Sequence, residues 1–102
     1  MHLMFAALML QAAPDLDDPF NRALADWAAC IRWQTDVAAT SSNRRDIGVV
    51  DEAMTRCTAE EAELRERVRA QSGESAYVET MRQIVGRVRV AMHRHLRRHH
   101  RR

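Results

Sequence analysis

The sequence of 102 residues contains few of the residues that turns and sheets require. It has three glycines, two prolines and five aromatic residues. Sheet proteins join many short strands through turns rich in Gly and Pro, so this scarcity argues against a sheet. The uncharged apolar run at residues 3–10 is too short for a membrane span, which needs about 20 apolar residues. The composition therefore indicates an all-α chain of at most one domain.

The sequence also lacks a glycine-rich phosphate loop, a CxxC pair and a metal-binding His/Cys spacing. One candidate acid or base is Glu61, which interrupts an apolar stripe and should lie near Trp27. A carboxylate beside an indole can have a raised pKa. The alternative is a salt bridge with Arg65, one helical turn further on. Because no His or Ser is placed to complete a catalytic set, we expect no catalytic residues, no enzymatic activity and no cofactor.

Lysine is absent, and all sixteen basic residues are arginine, a bias that we attribute to codon usage in a GC-rich genome. The charge is unevenly distributed. Residues 1–79 carry a net charge of −6, whereas residues 80–102 carry +8, four histidines and no acidic residue. Such asymmetry indicates a partner for one part of the chain.

The N-terminal residues have the outline of a short secretory signal. An apolar stretch at 3–10 is followed by the small residues Ala12 and Ala13 and by the acidic segment 15–18. The alternatives are an apolar segment that packs on the helices, or a start codon placed too late in the gene. We predict a signal-like segment over residues 1–13 and a periplasmic or secreted bacterial protein, with the cytoplasm as the alternative location.

Three amphipathic helices are predicted from the apolar spacing. The first begins near Pro19, with Asp18 as its cap, and ends before the polar loop at 40–45. The second begins at Asp46, which can cap it, and ends at the Ser72-Gly73 signal. The third extends from about Ser75 to at least Leu96. The apolar face of the first helix is expected to comprise Phe20, Ala23, Leu24, Trp27, Cys30, Ile31, Trp33 and Val37. Short connections predict a three-helix bundle built on an antiparallel hairpin, within a helical domain over residues 14–92.

The two cysteines lie at the same level of this hairpin. With the loop centred near Asn43, Cys30 and Cys57 are equally distant from it along the chain. Facing Cα atoms of packed helices lie ~4–6 Å apart, which matches the ~4.4–6.8 Å of a disulfide. We predict a Cys30–Cys57 disulfide; the alternative is two buried free thiols. A metal site would need two more ligands, and no histidine lies in either helix, so no metal site is expected.

The hairpin also carries a resemblance. Trp27-Ala-Ala-Cys30, the polar loop and Cys57-Thr-Ala-Glu-Glu-Ala-Glu-Leu64 resemble small exported helical proteins of unknown function from GC-rich bacteria, which have a two-cysteine staple. The resemblance covers residues 19–69. It implies a similar disulfide-linked hairpin and does not imply any activity.

The third helix is basic on the side away from its apolar face, which is centred on Val85 and includes Val78 and Met92. We expect it to pack on the hairpin up to about Met92, and residues 93–102 to project as a basic His/Arg-rich tail. Neighbouring arginines would repel a cation from its histidines, so no physiological metal binding is expected there. The predicted anion-binding residues are Arg87, Arg94, Arg97, Arg98, Arg101 and Arg102.

The sequence thus predicts a non-enzymatic binding protein whose basic helix and tail contact an anionic surface, either a membrane or an envelope polymer. Export would argue against nucleic acid as the partner. The alternative is a protein–protein interaction or structural module with a tail that is merely solvated. Salt dependence separates the two, because charge-driven binding weakens steeply with salt.

Overall fold

The computed structural model describes residues 15–42, 44 and 46–99 of the chain. These residues form four α-helices: α1 Pro19–Ser42, α2 Ile47–Thr55, α3 Thr58–Ser72 and α4 Glu74–His99. The all-α prediction is therefore confirmed. The three-helix bundle is not, because the second predicted helix is divided into α2 and α3. The predicted signal-like segment 1–13 and the last three residues lie outside the described residues.

Helix α1 begins where the sequence predicts. The Asn21 backbone N–H donates to Asp18 Oδ2 at 3.1 Å, and Pro19 occupies the first helical position. The buried residues of α1 recur at every fourth position: Ala23, Trp27, Ile31, Thr35 and Ala39. The predicted apolar face was too broad, because Trp33 is 63% exposed and Val37 is 39% exposed. Trp33 and Val37 each lie two positions from a buried residue, and two positions correspond to about half a turn, so they are on the opposite side of the helix.

The chain leaves helical geometry between Thr55 and Thr58. Arg56 N–H donates to the carbonyl of Ala53 at 3.0 Å and Cys57 N–H to that of Met54 at 3.2 Å, which closes α2 with a tight last turn. Helix α3 then starts with the bond from Glu61 N–H to the carbonyl of Cys57. The apolar spacing continues across this break and therefore predicts one helix where the structure has two.

Asp46 precedes α2, as predicted, but its side chain does not cap the helix. Its Oδ1 atom instead lies 3.1 Å from Nη2 of Arg44. The guanidinium of Arg44 donates a hydrogen bond to this carboxylate and lowers the pKa of Asp46 below its ordinary value. The connection between α1 and α2 is therefore held by an ion pair within the loop.

The Cys30–Cys57 disulfide is confirmed, with the two Cα atoms 6.0 Å apart. Cys57 is fully buried and follows the α2–α3 break, so the disulfide joins the middle of α1 to this junction. Leu64 and Val68 of α3 are buried beyond it. Closing the loop between the cysteines contributes about 3.5 kcal/mol by the chain-entropy relation.

Helix α4 follows Gly73, whose φ of 85° lies in the left-handed region that glycine adopts without strain. The helix packs against α3, α1 and α2 through Met81, Met92 and Leu96. Val78 was predicted on the buried face but is 70% exposed. Its neighbour Tyr77 makes the contact with α3 instead.

Packing of α4 continues beyond Met92, and the prediction that the chain projects from His93 onward is wrong for the described residues. Leu96 is fully buried in the core. The packing extends this far because α1, with 24 residues, is about 36 Å long and offers surface for another turn of α4.

Candidate anion-binding surface

The C-terminal half of α4 presents a row of arginines to solvent. Met92 and Leu96 are buried, and the helical period of 3.6 places Arg94, Arg97 and Arg98 on the side of α4 away from them. We define the arginine face as the exposed residues Arg87, Arg94, Arg97 and Arg98. These residues span about 16 Å of the helix axis. Val90, which is 53% exposed, lies between the first two of them.

Seven of the nine other arginines in the described residues form ion pairs with acids, and Arg22 and Arg32 do not. Examples are Arg65 with Glu61, and Arg67, whose Nε lies 2.7 Å from Glu63 Oε2. By contrast, no carboxylate of the described residues lies within ion-pair distance of the arginine face. The arginine face therefore carries positive charge that the described part of the chain does not compensate. Four of the six predicted anion-binding residues lie on it, and Arg101 and Arg102 are outside the described residues.

Helix α4 is fixed to α1 next to the arginine face. His95 Nε2 lies 2.7 Å from Asp36 Oδ1, and the His95 side chain is only 14% exposed. The His99 ring follows one turn later, with its centroid 4.6 Å from that of His95. These contacts hold Arg94, Arg97 and Arg98 on an ordered helix rather than on a solvated tail.

The candidate acid or base Glu61 forms an ion pair. Arg65 Nε donates to Glu61 Oε2 at 2.9 Å, and Arg65 Nη1 donates to Tyr77 Oη at 3.1 Å. The hydrogen bond with Glu61 is the main reason that the pKa of Arg65 is raised. The guanidinium of Arg69 lies 4.3 Å from the centre of the Tyr77 ring. Glu61 thus belongs to the contact between α3 and α4, as the alternative interpretation of the sequence expected.

Glu60 is a residue that sequence reasoning overlooked. One carboxylate oxygen of Glu60 and the sulfurs of Cys30 and Cys57 all lie within 4.8 Å of one another. The sequence feature that points to Glu60 is the spacing Cys57-x-x-Glu60. It places the carboxylate in the first turn of α3, about one turn after the cysteine. The absence of histidine from the hairpin helices does not exclude a carboxylate ligand at this position.

No family model, curated protein or solved structure matches the chain. The resemblance to small exported helical proteins therefore stays an interpretation of residues 19–69. Within the described residues, no helix is both long and apolar enough to cross a membrane.

Proposed function

We propose that this protein is a non-enzymatic binding protein that attaches to an anionic surface through the arginine face of α4, together with Arg101 and Arg102. The surface would be an anionic membrane or a cell-envelope polymer. The observation that carries the proposal is the row of four exposed arginines that have no carboxylate partner among the described residues.

The chemistry of arginine suits such a surface. The guanidinium is a planar fork of donors that binds phosphate or carboxylate with two parallel hydrogen bonds. Each arginine held near an anionic membrane contributes about 1 kcal/mol, so several on one face are needed for useful affinity. A helix that holds them in a fixed row avoids part of the entropy cost of ordering a flexible tail on binding.

The core packing of α4 determines the mode of attachment. Met81, Met92 and Leu96 are buried in the bundle, so the apolar stripe of α4 is not available for insertion into lipid. Contact through the arginine face would be peripheral and electrostatic, with Val90 as its apolar component. The Cys30–Cys57 disulfide supports an oxidising compartment such as the periplasm, where membrane surfaces and envelope polymers are accessible.

Co-sedimentation with vesicles tests this function. The full chain is incubated with neutral vesicles and with vesicles containing anionic phospholipid, at low and at high salt, and a soluble anionic envelope polymer is added as a competitor. We expect binding to anionic vesicles at low salt, release at high salt and displacement by the polymer. Equal binding to neutral and anionic vesicles, or no binding to either vesicles or polymer, would refute the proposal.

A second function is favoured by one specific observation. Trp33 is 63% exposed and Val37, one turn later on the outer face of α1, is 39% exposed. Exposed tryptophans are often the central residues of protein–protein interfaces. Binding to an envelope protein that persists at high salt and is lost in Trp33→Ser would favour this interaction function over the electrostatic one.

A further inference from the structure

We propose that the reduced protein binds a zinc ion through Cys30, Cys57 and Glu60. The starting observation is that the two sulfurs and a Glu60 oxygen lie within 4.8 Å of one another. Cys57 is fully buried, and Cys30 and Glu60 are half-buried. In the oxidised protein the sulfurs are joined in the disulfide, so the metal-binding form is the reduced one.

The backbone geometry suits zinc as well as a disulfide. Zinc takes thiolate sulfurs at about 2.3 Å and carboxylate oxygens at 2.0–2.2 Å in a tetrahedral arrangement. Two sulfurs on one tetrahedral ion are about 3.8 Å apart, and side-chain rotation from Cα atoms that are 6.0 Å apart can provide this separation. Two thiolates favour zinc over the harder calcium and magnesium ions.

The fourth position of the ion faces solvent. An open pocket lies beside the disulfide, lined by Cys30 and Glu60 together with Asp26, Gln34 and Arg56. A water molecule from this pocket would complete the tetrahedron. Arg56 is the basic residue nearest in sequence, and its guanidinium lies 3.6 Å from Glu52 on α2, which offsets its charge.

The chemistry balances with a cellular dithiol as the reductant. Two reductant thiols become a disulfide, and their electrons and protons convert the Cys30–Cys57 disulfide into two thiols. Zinc then replaces the two thiol protons, which pass to solvent, and Glu60 supplies the third ligand. The ion would hold α1 to the α2–α3 junction as the disulfide does, because the free energy of binding a structural metal adds to that of folding.

Cobalt and zinc binding to the full chain test this inference. The protein is reduced with a phosphine, which leaves no competing thiol, and titrated with Co²⁺. We expect the near-ultraviolet charge-transfer absorption of thiolate-bound cobalt, which Zn²⁺ then displaces, and a higher melting temperature of the reduced protein with Zn²⁺. Glu60→Gln should weaken Co²⁺ binding about tenfold or more. The matched control is Glu63→Gln, on the same helix and paired with Arg67, which should bind as the native chain does.

The oxidised protein serves as a second control, because it retains the histidines of α4 but has no free thiol. Charge-transfer absorption should be absent from it. The inference is overturned if the reduced protein shows no such absorption, or if Glu60→Gln binds Co²⁺ as tightly as the native chain. Should reduction unfold the chain, recovery of helical circular dichroism on adding Zn²⁺ supports the site, and failure to recover overturns it.

Discussion

The His95 Nε2 atom lies 2.7 Å from Asp36 Oδ1, although the two residues are 59 positions apart in sequence. This contact fixes the basic half of α4 to α1 and places the fully buried Leu96 beside it. The arginine face is therefore displayed by an ordered part of the bundle. It also means that removing the C-terminal turns of α4 would take Leu96 from the core, so surface substitutions test the arginines better than truncation does.

Replacing His95 should loosen the end of α4. We expect His95→Ala to lower the free energy of unfolding by about 1 kcal/mol, because a part-buried hydrogen bond with a carboxylate is lost. Arg97→Ala, in the same turn but exposed, should change it by only a few tenths of a kcal/mol. Urea unfolding followed by circular dichroism measures both. Equal losses in the two variants would show that the contact does not fix the helix.

The disulfide should account for a large part of the stability of the oxidised chain. Cys30→Ala is expected to lower the free energy of unfolding by about 3.5 kcal/mol, because the loop between the cysteines is no longer closed in the unfolded state. In metal-free reduced protein, the same substitution should have little effect beyond a small packing loss. Thermal unfolding with and without a phosphine reductant makes the comparison. A similar loss in both conditions would mean that packing, rather than the crosslink, stabilises the fold.

Substitutions at the neighbouring residues Glu63 and Leu64 of α3 should have very different effects on stability. Leu64 is fully buried, so Leu64→Asp places an unpaired charge in the core and should unfold the domain. Glu63 forms an exposed ion pair with Arg67, and Glu63→Ala should change stability by only a few tenths of a kcal/mol. The yield of folded protein and the melting temperature of the two variants test this prediction. Comparable effects would show that α3 buries a different face.

Acid should weaken the α1–α2 connection. The hydrogen bond from Arg44 lowers the pKa of Asp46 in the folded state, so the ionised carboxylate stabilises the fold at pH values above its ordinary pKa of 3.8. This contribution is lost as the pH falls through the lower, folded-state pKa. Asp46→Asn should therefore be slightly less stable than the native chain at pH 7 and equal to it near pH 2. A stability difference that does not vary with pH would contradict this assignment.

Much of the fold could be predicted from local signals. Asp18 and Pro19 mark the start of α1, Gly73 marks the end of α3, and the equal distances of Cys30 and Cys57 from the loop predicted the disulfide. These features depend on residues close in sequence or on a simple hairpin geometry. The arginine face followed in the same way from the helical period around Val85.

Other features depend on tertiary packing and could not be predicted. The apolar spacing continues through Cys57, so nothing in it indicates the break between α2 and α3. Trp33 is exposed because the other helices pack against the opposite side of α1. Hydrophobicity alone does not determine which side of a helix is covered. The burial of Leu96 required knowing that α1 extends far enough to cover the end of α4. The Cys57-x-x-Glu60 spacing places Glu60 near Cys57, but only the fold brings its carboxylate close to both sulfurs.

The central claim is that the arginine face binds an anionic surface, and its most direct test is an affinity comparison between two variants of equal net charge. One replaces the arginine face: Arg87→Gln, Arg94→Gln, Arg97→Gln and Arg98→Gln. The other replaces four exposed arginines elsewhere: Arg22→Gln, Arg32→Gln, Arg56→Gln and Arg67→Gln. Both are titrated with anionic vesicles at several salt concentrations. We predict that the first variant loses most of its affinity and salt dependence, whereas the second stays close to the native chain. Equal losses in the two variants would show that net charge alone, and not the arginine face, governs binding.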